Sequence, residues 1–165
     1  MPWIKPAKQA EVKQIEALKD LEQPLPLFNR LIAKSPSLLE AFTPVQRAVK
    51  ETFLTDIQRE TLITYVSMQN GCEFCKDSHS QLLIELTGDG DILSKLSSFE
   101  EGHFDQPLTL MLRYASKLVV KPVQVKKEDV EALQDAGLSD KEIVELNHVI
   151  AYTSYTNQIS IGLGL

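Results

Sequence analysis

The chain has 165 residues, 43% of them hydrophobic and 24% charged, with a formal net charge of −6 and a sequence pI near 5.1. That length buries a core without disulfide or metal staples, and the composition excludes a disordered, collagen-like or mucin-like chain. The acidic balance argues against nucleic acid or an anionic membrane as partner, since both need a basic face to displace counterions.

The first residues, MPWIKPAKQAEVKQ, lack the apolar core of a signal peptide, and no stretch approaches the roughly 18 consecutive apolar residues of a membrane span. A cytoplasmic protein is expected. Apolar residues recur at threes and fours and strict alternation is nearly absent, so the expected fold class is all-α. Val12, Ile15 and Leu18 mark a first helix that stops before Pro24 and Pro26. Ser35-Pro36 and Thr43-Pro44 each place an N-cap residue before a proline, which predicts short helices starting at both. Thr55 with Gln58 has the capping-box spacing that opens a helix over DIQRETLITYVSMQN, and Gly71 suits the left-handed residue past its end. A second helix starts around the cysteines and runs to Thr87, ahead of Gly88. GDGDILSKLSSFEEGHFDQ reads as an acidic loop with one short helix. PLTLMLRYASKLVV, before Pro122, reads as core. Ser139 with Glu142 repeats the capping-box spacing and opens a final helix. No formally charged residue occurs from Leu146 to Leu165, which fits either a helix buried in its own core or a face that meets another subunit.

Both cysteines lie in NGCEFCKDSH, as Cys72 and Cys75. Helix positions i and i+3 are about 5–6 Å apart, inside the window a disulfide needs, so this pair can pass between dithiol and disulfide with little backbone movement. A reducing cell makes a catalytic or metal-binding role more natural for them than a structural bridge. His79 stands one turn after Cys75 but almost two turns after Cys72. An ordinary thiol is only about one-tenth thiolate at pH 7.5, and a helix N-terminus contributes at most ~2 kcal/mol toward ionising it. A neighbouring imidazole supplies a base or an ion-pair partner, which makes Cys75 the candidate nucleophile and Cys72 the resolving thiol.

Glu60 lies on the preceding helix, flanked on the wheel by Ile57, Ile63, Thr64 and Ser67. If the two helices fold back at Gly71, a rise of about 1.5 Å per residue sets Glu60 ~16 Å and His79 ~12 Å from the turn. A carboxylate on such a semi-apolar face needs a partner, and pairing with His79 would orient the ring and raise its basicity. A relay from Glu60 to His79 to Cys75 is expected; the competing reading leaves Glu60 solvated.

Glu60, eleven residues, Cys72-x-x-Cys75, three residues and His79 resemble the motif of the alkyl hydroperoxidase D (AhpD-like) proteins, within the carboxymuconolactone decarboxylase-like superfamily. The resemblance is strong over about residues 55–86 and extends more weakly to LSDKEIVELNHVIAYTSYTNQIS. It implies one domain over 1–165, with N-terminal helices over 1–54 flanking a core over 55–165, built as an all-α bundle. It further implies a homo-oligomer (trimer, dimer or hexamer). The implied activity is reduction of hydroperoxides with electrons from a protein or lipoyl dithiol, without cofactor or metal. In that scheme Cys75 attacks the peroxide, Cys72 resolves the sulfenic acid, His79 is the general base and Glu60 completes the proton relay. Phe74 departs from the pattern, standing where the best characterised members carry a second relay histidine.

Rival readings remain. Cys72, Cys75, His79 and Glu60 offer the donors of a zinc site, although structural zinc favours separate knuckles joined by a loop. On this reading the chain is a non-catalytic metal-binding or assembly protein. Haem attachment needs histidine directly after the second cysteine, where Lys76 stands, and a thioredoxin domain needs a βαβ context. The decarboxylase branch works without a cysteine pair. His103 and His148 are expected to be structural or solvent-facing, Trp3 and Met68 to be packing residues, and Lys76 and Asp77 to be helix-surface charges.

Overall fold

The computed structural model describes residues 1–12 and 24–165, and no strand occurs among them. Nine helices are described: α1 (Gln9–Val12), α2 (Leu27–Ile32), α3 (Pro36–Lys50), α4 (Asp56–Gln69), α5 (Glu73–Thr87), α6 (Ile92–Ser97), α7 (Gln106–Val119), α8 (Lys127–Asp135) and α9 (Asp140–Gly162). A 3-10 turn at Phe99–Glu101 precedes α7. The expected all-α class is met. Of the first expected helix, Val12 closes α1, while Ile15 and Leu18 lie outside the described residues. No described helix is long and apolar enough to cross a membrane.

Contacts divide the chain into two compact units, Met1–Glu51 with Ser160–Leu165, and Thr52–Ile159. In the first, α2 packs on α3 through the tilted rings of Phe28 and Phe42, 5.7 Å apart. Asn29, buried, donates to Gln46 Oε1 at 3.1 Å. The segment before α1 is tied to α2 from both sides: Ala7 N donates to Arg30 O at 3.0 Å and Arg30 Nε to Ala7 O at 2.8 Å. Ser35 and Pro36 open α3 as expected, but Thr43-Pro44 opens nothing, because Pro44 lies inside α3. Pro44 is exposed, so the hydrogen bond it fails to make faces water, while Leu39, Phe42, Thr43 and Val49 keep the buried stripe unbroken. Thr43 turns its hydroxyl onto Leu39 O, 2.8 Å away, instead of capping. Trp3, expected as a packing residue, packs at the surface: it is 76% exposed and lies against the backbone of Gly164, where a Cβ would come within 2.5 Å of the indole.

The second unit is organised around α4, every residue of which from Glu60 to Ser67 is buried. Its capping box is complete: Thr55 Oγ1 accepts from Gln58 N at 3.2 Å, and Gln58 Oε1 accepts from Thr55 N at 3.1 Å. Helices α5, α6 and α7 pack on α4, and α8 packs on α7, where Lys117 pairs with Asp129. The core is aliphatic; Leu62, Val66, Leu83, Leu96, Leu112, Leu133, Leu146, Val149 and Ile150 are 0–1% exposed. Each such residue contributes about 1.5–3 kcal/mol through burial. Ser139 and Glu142 cap α9 reciprocally, at 3.3 and 2.8 Å. Along α9, Leu146, Val149, Ile150, Thr153 and Asn157 face inward, while Val144 (68% exposed) and Tyr155 (50%) face outward with His148 and Ala151. Beyond Leu146 this outward side carries no formally charged residue; exposed Lys141 lies at its start.

Candidate active site

The turn between α4 and α5 is fixed by backbone chemistry before any reactive group is considered. Asn70 ends α4 in right-handed geometry, and Gly71 follows at φ 68°, a conformation that costs other L-residues roughly 1–2 kcal/mol. Gly71 N then donates to Met68 O at 3.2 Å and Cys72 N to Ser67 O at 3.0 Å, the paired bonds of a Schellman motif. Cys72 thus ends one helix and begins the next. It is the N-cap of α5, its Sγ accepts from Cys75 N at 3.4 Å, and its carbonyl accepts the first bond of the new helix from Lys76 N at 2.8 Å.

Cys72 and Cys75 are joined as a disulfide with Cα atoms 5.3 Å apart, within the helical i, i+3 spacing expected from the sequence. Cys72 is 1% exposed and Cys75 8%. Across the hairpin, Glu60 Oε2 lies 2.6 Å from His79 Nδ1. The carboxylate is buried, its side chain 7% exposed against 37% for His79. Arg59 Nε lies 3.8 Å from the other carboxylate oxygen, and Arg59 also bonds Asp56 at 2.5 Å. Of the four residues singled out in the sequence, the structure joins Cys72 to Cys75 and Glu60 to His79. The two pairs share the hairpin, with His79 one turn beyond Cys75.

The other sequence candidates stand apart from this arrangement. Lys76 is engaged by Glu73, whose carboxylate raises the lysine pKa, and lies 3.6 Å from Asp77, so its charge is turned along the helix surface. His103 sits 3.6 Å from Glu101, and His148 is exposed near the ring of Tyr152. Phe74 is half-buried. Among the described residues no group of three or more His, Cys, Asp and Glu side chains is placed to hold a metal ion. The two sulfurs bond each other and the carboxylate is turned to the imidazole.

Two features escaped the sequence reading. Asn70 Nδ2 donates to Ser154 Oγ at 3.1 Å and to Asn157 Oδ1 at 2.9 Å, and Asn157 Nδ2 donates to Ser67 Oγ at 3.1 Å. This network ties the end of α4, and with it the turn that carries Cys72, to α9. The second is on α4 itself, where the hydroxyls of Thr61 and Thr64 are fully buried with no hydrogen-bond partner among the described residues. Neither sits in a local sequence pattern, because the contacts concerned join segments far apart in the chain or are missing.

No family model matches the chain, and no curated protein matches it. Solved structures do. The chain superposes on an uncharacterized peroxidase-related protein from Silicibacter sp. TM1040 with a TM-score of 0.81 and 22% identity, covering 98% of this chain and 86% of the other. A peroxidase-related protein with an alkylhydroperoxidase AhpD core from Ralstonia eutropha JMP134 gives a TM-score of 0.81 at 20% identity, over 99% and 90% of the two chains. The debrominase Bmp8 gives 0.82 at 18% identity, over 98% and 89%. A cysteine-to-alanine form of Bmp8 has been solved with 2,3,4-tribromopyrrole. Together with the all-helical architecture and the disulfide at the head of α5, these likenesses show that the chain has the fold of the AhpD-like, peroxidase-related proteins.

Proposed function

We propose that this protein is a thiol-dependent peroxidase or disulfide reductase, with Cys75 as nucleophile, Cys72 as resolving thiol, and His79 and Glu60 as the proton relay. The observation that carries the reading is the 2.6 Å contact between the buried Glu60 carboxylate and His79 Nδ1, one turn from Cys75. A carboxylate at Nδ1 fixes the tautomer and leaves Nε2 as the nitrogen that exchanges protons, which is the condition for a general base. In the reduced protein His79 takes the Cys75 proton. The Cys75 thiolate attacks the distal oxygen of a hydroperoxide, the O–O bond breaks, and the leaving alkoxide takes the proton back from His79. Cys72 then attacks the sulfenic sulfur of Cys75, closing the disulfide and releasing water. An external dithiol supplies two electrons and two protons to restore the pair. The outward side of α9 beyond Leu146, exposed among the described residues and without formal charge, supports assembly with further copies of the chain.

The test is stopped-flow oxidation of the reduced protein by several hydroperoxides, comparing wild type with Cys75→Ser and Cys72→Ser. The reading expects no sulfenic acid in the first variant and its accumulation in the second; the reverse pattern exchanges the roles, and reaction of neither cysteine in wild type refutes peroxidase chemistry. The likeness to Bmp8 supports a second reading, in which the dithiol supplies two electrons to a brominated ring, the ring carbon gains a proton and bromide leaves. Bromide release from a bromopyrrole under single-turnover conditions distinguishes it from peroxide reduction.

A further inference from the structure

Among the described residues, the buried helical hydroxyls of Thr61, Thr64 and Ser160 have no hydrogen-bond partner, whereas others find one close at hand. Thr43 bonds Leu39 O and Thr153 bonds Val149 O, each at 2.8 Å, by the i to i−4 route open to any helical threonine. Thr64 is 0% exposed and makes no such bond; its Oγ1 has no partner among the described residues. A buried hydroxyl without a partner is destabilising, so its retention calls for an explanation.

The hairpin register supplies one. Two bonds fix the register of α5 on α4: Cys72 N donates to Ser67 O in the turn, and the side chains of Glu60 and His79 meet across the hairpin. Thr64 stands three residues before Ser67 and four after Glu60, while Cys75 stands three after Cys72 and four before His79. Thr64 is therefore level with Cys75, one turn along α4 from Glu60, whose side chain meets α5. In the disulfide form that position offers a hydroxyl only a weakly accepting, neutral sulfur. Reduction changes the acceptor. Two electrons from a dithiol reductant break the S–S bond; of its two protons one goes to Cys72 and the other to His79, and Cys75 keeps the negative charge, which is a strong hydrogen-bond acceptor.

We propose that the Thr64 hydroxyl is a redox-dependent donor to Cys75 Sγ, unbonded in the disulfide form and bonded to the thiolate in the reduced form. The inference rests on the reading of Cys72 and Cys75 as a cycling pair, and it adds a residue that acts directly on the reacting sulfur. Its thermodynamic sense is definite. A donor that binds the thiolate and finds no partner in the disulfide favours reduction, making the couple more oxidising and the Cys75 thiol more acidic.

The test is a redox titration against a reference dithiol, together with ultraviolet thiolate titration of Cys75 in a Cys72→Ser background, for wild type, Thr64→Val, Thr64→Ser and Thr61→Val. Thr64→Val is expected to shift the dithiol–disulfide equilibrium about tenfold toward the disulfide, about 30 mV more negative, and to raise the Cys75 thiol pKa by about one unit. Thr64→Ser is expected to restore both. Thr61→Val removes another unpartnered hydroxyl of α4, off the edge that carries Glu60 and Thr64, and is expected to change neither. Wild-type values in Thr64→Val, or an equal shift in Thr61→Val, overturn the proposal. Should Thr64→Val fail to fold, the structure of the reduced wild-type protein decides: Oγ1 within hydrogen-bond distance of Cys75 Sγ supports the proposal, and Oγ1 turned elsewhere overturns it. A wild-type pair that does not cycle reversibly would instead refute the function proposed above, so the two failures are distinct.

Discussion

Replacing Glu60 by Gln removes the charge of the buried member of a part-buried pair while keeping its shape. The native contact, 2.6 Å from Oε2 to Nδ1 with the carboxylate side chain 7% exposed, is a charge-assisted hydrogen bond held largely away from water. Such a bond contributes about 1.5–3 kcal/mol where the partner is ionised, and the amide oxygen of Gln retains a neutral bond of about 1 kcal/mol. In the proposed relay, the imidazolium formed when His79 accepts the Cys75 proton then loses about 0.5–2 kcal/mol of stabilisation, which corresponds to a roughly two- to thirtyfold slower reaction of Cys75 with hydroperoxide. The assay is single-turnover stopped-flow oxidation of the reduced variant, with the urea midpoint of the oxidised protein measured alongside. That midpoint is expected to hold or rise, because an amide is less costly to bury than a carboxylate. An oxidation rate equal to that of wild type would remove Glu60 from the relay and refute the reasoning.

Three further outcomes follow from the packing and charges. Asn157→Ala takes away the donor to Ser67 and the acceptor for Asn70 at a position 1% exposed, with an expected loss of about 2–3 kcal/mol in urea unfolding; a loss below ~0.5 kcal/mol would show the network to be dispensable. Gly71→Ala meets no steric obstacle but must hold φ near 68°, so a cost of about 1–2 kcal/mol is expected, read from the same transition. Asp129 has its pKa lowered, first by the Lys117 ammonium and further by the Lys126 backbone. Because the folded value lies below the unfolded one, the contribution is present above the unfolded carboxyl value of about 3.9 and is lost as pH falls through the folded value. Asp129→Asn is expected to cost up to about 1 kcal/mol at pH 7 and to flatten that part of the acid limb, measured as the urea midpoint against pH.

What the sequence disclosed was local. The capping boxes at Thr55 and Ser139, the left-handed Gly71 and the pairing distance of Cys72 and Cys75 each depend on residues a few positions apart, and each appears as expected. The Glu60–His79 contact was legible because a short turn fixes the register of the two helices it joins. Pro44 misled because its cost depends on which side of α3 it occupies, and the sequence does not say that this side faces water. Helices α2 and α8 went unread, being too short to show a periodicity. The Asn157–Ser67 bond spans 90 residues, and the missing partner of Thr64 is a property of a side-chain rotamer. Neither leaves a mark on composition or spacing.

The unequal burial of the two cysteines, 1% for Cys72 and 8% for Cys75, bears on traffic through the site. Both are buried, Cys75 the less so; in the proposed cycle reductant and oxidant therefore approach the pair from the Cys75 end in turn. Saturating either one is then expected to obstruct the other, and steady-state velocities should trace the parallel reciprocal lines of a ping-pong cycle.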